Sequence, residues 1–96
     1  MDKNFNINDL FNLILERRTN PQPGSYTNHL FDKGEDEIIK KVGEEAIEVV
    51  LASKAQSNQR VIEEIADLTY HTLVLLAYKG ITPSDITSEL QKRNLK

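Results

Sequence analysis

The chain has 96 residues, no cysteine and a net charge of −3. A domain of this size buries only about 60–65% of the surface its unfolded form exposes, so a partner subunit that covers further apolar surface is expected. The acidic balance argues against binding to a nucleic-acid backbone, and the lack of cysteine excludes disulfides, thiolate catalysis and cysteine-based zinc sites.

Leu10, Phe11, Ile14 and Leu15 recur at helical spacing behind Asn6 or Asn8, either of which can accept the first free backbone N–H groups. The spacing predicts a helix that ends near Arg18, because Thr19-Asn20-Pro21-Gln22-Pro23-Gly24 cannot continue it. Ser25 to Phe31 adds a short helical turn, broken at Lys33-Gly34. From about Glu35 to Ser53, the side chains of Ile38, Ile39, Val42, Ala46, Val49 and Val50 fall within one arc, which reads as a core face. Gln56-Ser57-Asn58 makes a polar link to a helix from about Gln59 to Tyr78, with Val61, Ile62, Ile65, Leu68, Leu73 and Leu76 on its apolar side. Leu73 to Ala77 is apolar nearly all round, as expected of a segment enclosed by other helices, and this favours a dimer.

Gly80 suits a left-handed cap, and Thr82-Pro83-Ser84-Asp85 reads as the start of a last helix that runs to about Arg93 with Ile86 and Leu90 inward. The sequence shows no strand pattern, repeat or low-complexity tract. The expectation is one all-α domain over residues 1–96, a helical bundle of about four main helices. The polar opening Met1 to Asn4, and a longest apolar run far short of the roughly 20 residues that span a bilayer, point to a cytoplasmic protein with neither membrane nor nucleic acid as partner.

Two helices carry the acidic residues that bear on chemistry. Glu45 with Glu48, and Glu64 with Asp67, are three apart and so present two carboxylates to one side of their helices. Packed antiparallel through the short link, the two helices can bring these four groups to one end of a groove. Two like charges at about 4 Å repel by about 4 kcal/mol at an effective dielectric near 20. All-oxygen ligands of this kind suit magnesium, with manganese as a substitute, and magnesium commonly shares its shell with phosphate oxygens. The plainer reading is a pair of solvated acidic faces, and spacing alone does not decide between them. Lys41 projects beside Glu45 and Glu48, and His71 beside Glu64 and Asp67; an ion pair with Glu45 and a structural hydrogen bond are their ordinary readings.

The strings Ser25-Tyr26-Thr27, Lys33-Gly34-Glu35, Lys41-Val42-Gly43-Glu44-Glu45-Ala46-Ile47-Glu48 and Ala66-Asp67-Leu68-Thr69-Tyr70-His71 resemble, in this order, the phosphoribosyl-ATP pyrophosphohydrolases of histidine biosynthesis, within the MazG-like all-α nucleotide pyrophosphohydrolases. The resemblance runs from about Leu10 to Arg93. It implies a dimeric helical bundle that converts phosphoribosyl-ATP to phosphoribosyl-AMP and pyrophosphate, with magnesium held by Glu45, Glu48, Glu64 and Asp67 and with Glu44 as an alternate ligand. Thr69 departs from the pattern, where an aliphatic residue is commoner, and is expected to affect packing only. No cyclohydrolase sequence is attached, so the following step is expected on another chain.

The mechanism expected from this resemblance is magnesium-assisted attack of water between the α and β phosphates, with a carboxylate such as Glu48 taking the proton. Lys33, Lys40, Lys41 and Arg17 are candidates for balancing phosphate charge; Ser25 and Thr27 for donating to phosphate, unless they cap a local turn; and His71 for substrate contact. Tyr26 is equally placed to be core. Two other functions fit the same residues: a housekeeping MazG-like hydrolase of nucleoside triphosphates, and a helical dimerisation module without activity. A di-iron bundle is disfavoured because neither histidine follows a glutamate by three residues.

Overall fold

The computed structural model describes residues 4–94, which form five helices: α1 (Ile7–Thr19), α2 (Tyr26–Lys33), α3 (Glu35–Ala55), α4 (Asn58–Lys79) and α5 (Pro83–Asn94). Met1 to Lys3, part of the polar opening noted above, lie outside the described residues. The described residues hold no strand, and the all-α expectation stands.

Each boundary has a local cause. Asn6, rather than Asn8, caps α1: its side chain accepts the Asp9 N–H while the Asp9 carboxylate accepts the Asn6 N–H, both at 3.0 Å. Ser25 caps α2 by accepting the Asn28 N–H at 3.2 Å, and the helix runs two residues beyond the expected Phe31. Gly34, at φ 95°, ends α2 and begins α3 in one residue. Ser57 caps α4 and left-handed Gly80 closes it. Thr82 and Asp85 repeat the reciprocal cap of α1 at the start of α5.

The helices α3 and α4 form an antiparallel hairpin, joined through Gln56 and Ser57, and theirs is the most extensive contact in the fold. The buried core is Phe11, Ile14, Leu30, Ile38, Leu73, Val74, Leu76 and Ala77. These residues come from α1, α2, the beginning of α3 and the second half of α4, so the core gathers at one end of the hairpin. Leu73, Val74, Leu76 and Ala77 confirm the enclosed segment read from the sequence. Arg18 ties this end together. Its guanidinium donates to the Ala77 carbonyl at 2.6 Å and lies over the Phe31 and Tyr78 rings at 5.3 and 5.4 Å.

The expected apolar faces need correction. Ile39, Ala46 and Val50 of α3, Ile62 and Ile65 of α4, and Ile86 and Leu90 of α5 are all exposed in the single chain. The stripe of α3 that is buried or half-buried is Ile38, Val42, Glu45, Val49 and Ala52; that of α4 is Val61, Glu64, Leu68, His71 and Leu75. Both follow alternating steps of three and four residues, the spacing of a packed helical seam. α5 packs against α1 and buries none of its residues fully, which leaves the outer surface of the hairpin uncovered.

Candidate metal centre

Polar residues thus occupy seam positions where an apolar side chain would serve stability better. Glu45 interrupts the stripe of α3 between Val42 and Val49, and Glu64 that of α4 between Val61 and Leu68. Glu64 is only 6% exposed. The hairpin geometry brings these carboxylates face to face with Asp67, one turn along α4. One oxygen each from Glu45, Glu64 and Asp67 lies within 4.8 Å of the others. Together with Glu44, Ile47 and Glu48 they line an open pocket of about 460 Å³.

The electrostatics follow from that crowding. Burial pushes the Glu45 carboxyl above its usual range, and the charges of Asp67 and Glu64 push it further, while His71 and Lys41 oppose. Arg60, one turn before Glu64, holds both Glu63 and Glu64 through its guanidinium, and its Nε donates to Gln56 at 3.2 Å. The same contact, with help from Gln59, holds the exposed Glu63 carboxyl below its usual range. Arg60 was not among the candidates read from the sequence. Its place four residues before Glu64 was the available signal.

The other candidates divide by what already engages them. Glu48 lines the pocket but stands outside the close trio. Glu44 is exposed and pairs with Lys41 at 3.7 Å, so the ion pair of Lys41 falls on Glu44 rather than on Glu45. Arg17 pairs with Glu16 at 3.2 Å. The Ser25 hydroxyl serves as the α2 cap, and Thr27 shares a hydrogen bond with the Tyr70 hydroxyl. Lys33 and Lys40 are exposed.

His71 is 5% exposed and both of its ring nitrogens are used inside the protein. Nδ1 lies 2.7 Å from the Asp67 carbonyl and Nε2 lies 2.9 Å from the Tyr26 hydroxyl. Both nitrogens are thus engaged in hydrogen bonds within the fold, the ordinary reading of this residue. Tyr26 in turn is not core: it is 45% exposed, and burial on its inner side raises its phenol above the usual range, with Lys41 opposing.

The family described as phosphoribosyl-ATP pyrophosphohydrolase matches over residues 7–94. A phosphoribosyl-ATP pyrophosphatase of Clostridium acetobutylicum is 57% identical over 96 residues, spanning 100% of this chain and 87% of its own. One from Listeria monocytogenes serovar 1/2a is 59% identical over 90 residues, 94% of this chain and 86% of its own. The histidine biosynthesis bifunctional protein HisIE of Caldanaerobacter subterraneus subsp. tengcongensis is 53% identical over 90 residues, which cover 94% of this chain and 44% of that protein.

Proposed function

The chain belongs to the phosphoribosyl-ATP pyrophosphohydrolase family, and we propose that it carries out the family's hydrolysis at the acidic pocket between α3 and α4, with magnesium held by Glu45, Glu64 and Asp67. The reaction converts phosphoribosyl-ATP to phosphoribosyl-AMP and pyrophosphate in histidine biosynthesis. The observation that carries the placement is the convergence of three carboxylate oxygens within 4.8 Å, one of them on a residue buried in the helical seam.

The donor set fits a hard divalent cation: every candidate ligand atom is a carboxylate oxygen, and neither cysteine nor a free imidazole nitrogen competes. Magnesium bound there, or manganese in its place, supplies positive charge for the phosphate oxygens and a more acidic water. Glu48 and Glu44, exposed on the same pocket, are the next carboxylates in reach of the substrate. We assign Glu48 the proton of the attacking water, since it lines the pocket without belonging to the close trio. Lys41, beside Glu44, and Lys33, at the end of α2, balance phosphate charge.

A second copy of the chain completes this reading. Ile47, Val50, Leu51, Ile62 and Ile65 stand roughly half or more exposed on the hairpin that carries the site, a run of apolar side chains that a homodimer would cover. A cytoplasmic location belongs to the same proposal; no helix among the described residues is long and apolar enough to cross a membrane.

Asp67→Asn and Glu64→Gln, each assayed for pyrophosphate release under saturating magnesium, test the site. The expected loss exceeds the ~10–100-fold that removing a residue merely supporting a metal ligand costs. Folded variants with near-wild-type rates would remove the acidic pocket from the reaction.

A further inference from the structure

We propose that Arg60 is the resident counter-ion of the acidic pocket: its guanidinium and a divalent cation are alternative partners of the Glu64 carboxylate, so that Arg60 weakens the binding of magnesium to the free protein. This deepens the functional reading above and rests on it, adding a positioning residue that acts through Glu64 and not on the substrate.

Burial decides which carboxylate most needs a partner. Of the close trio, Glu64 is buried, Glu45 half-buried and Asp67 exposed. A charge removed from water is costly unless it is paired, and that cost falls mainly on Glu64. Among the described residues, Glu64 is also the one member of the trio in an ion pair, and its partner is Arg60, which donates to Oε1. A guanidinium keeps its charge at any ordinary pH, so the compensation lasts as long as the contact does. A magnesium ion on the same carboxylate brings two further positive charges beside the first. The two cations repel, and each loosens the other's hold on Glu64 by the same factor.

The other contacts of Arg60 give it a place to stay when Glu64 turns to an ion. Arg60 is exposed and does not line the acidic pocket. Its guanidinium is held by Glu63, itself exposed, and its Nε donates to the Gln56 side chain at 3.2 Å, at the end of α3. Neither of these partners lines the pocket, so release of Glu64 gives up one of three contacts and leaves the side chain anchored beside the site. In the ion-free protein Arg60 lets a buried carboxylate occupy the helical seam. In the loaded protein the ion takes over that task, and Glu63 keeps the guanidinium.

The experiment titrates magnesium, without nucleotide and at constant ionic strength, into wild type, Arg60→Met and Arg60→Lys, reading affinity by calorimetry and the melting midpoint with and without the ion. Arg60→Met keeps the aliphatic stem and removes the charge. It should melt several degrees below wild type when ion-free and bind magnesium about threefold to tenfold more tightly, so that saturating magnesium narrows the gap. Arg60→Lys keeps the charge and should stay within about twofold of wild-type affinity. Magnesium bound by Arg60→Met no more tightly than by wild type overturns the proposal: equal affinity leaves Arg60 a surface ion pair, and weaker binding makes it a support that aims Glu64 at the ion. A lysine variant that binds as tightly as the methionine variant overturns it too, since charge is then not the cause. Glu64→Gln, with Arg60 in place, tests the underlying reading separately: magnesium affinity unchanged in that variant removes the acidic pocket as the metal centre, whatever Arg60 does.

Discussion

The two ends of the α3–α4 hairpin are built on opposite terms. At one end, Leu73 to Ala77 meet α1, α2 and the beginning of α3, and Leu30, Ile38 and Val74 are wholly buried. At the other, α3 and α4 have mainly each other, their seam carries Glu45 and Glu64, and Ile47, Val50 and Ile62 face outward. The same secondary structure thus serves as a foundation at one end and as a scaffold for repelling charges at the other. What differs is how many neighbouring helices share the load.

Substitutions should separate the two ends. Leu30→Ala at the enclosed end should cost about 2–5 kcal/mol, seen in chemical denaturation, because a fully buried side chain leaves a cavity that its neighbours close only in part. A loss similar to that at an exposed site would erase the contrast. Glu45→Gln at the acidic end should act in the opposite sense and raise the melting midpoint of the ion-free protein by a few degrees at pH 7. The sign follows from linkage. A carboxyl whose pKa is raised by folding favours the folded state below its unfolded pKa, and that contribution is lost as pH rises through the folded value. The gain from Glu45→Gln should therefore be widest at neutral pH and close in acid; a gap that stays constant with pH would show that charge is not its cause. Ile62→Ser, the smallest effect, should change the stability of the single chain by less than about 0.5 kcal/mol. Its consequence should appear instead in self-association, as a midpoint that no longer depends on protein concentration. Sedimentation showing an unaltered assembly would separate this apolar face from any dimer contact.

The elements were legible in the sequence because their signals are local. Asn6, the Pro21–Gly24 break, Gly34, Gly80 and the Thr82–Asp85 pair mark helix ends through contacts made within a few residues. The acidic cluster was legible for a related reason: two helices joined by a short link have one simple way to pack, and that brings Glu45 to Glu64 and Asp67. Burial was not, since a helical projection shows where apolar groups lie and not whether anything covers them. Ile39, Ile62 and Leu90 belong to that shortfall. The engagement of His71 by Tyr26 was equally hidden, because it joins residues 45 positions apart and depends on how α2 sits against α4.

One residue bears directly on that seating. Gly34 finishes one helix and starts the next, at a backbone angle of φ 95° that a side chain would strain, although the space around it is open. Tyr26 rides on the helix before this joint and Glu45 on the helix after it, with no loop to absorb adjustment. The orientation of the aromatic ring to the carboxylates is thus set by this corner together with the hydrogen bonds of Tyr26 and Thr27 to α4. Any residue but glycine at that corner would strain the joint, and with it the setting of Tyr26 against Glu45.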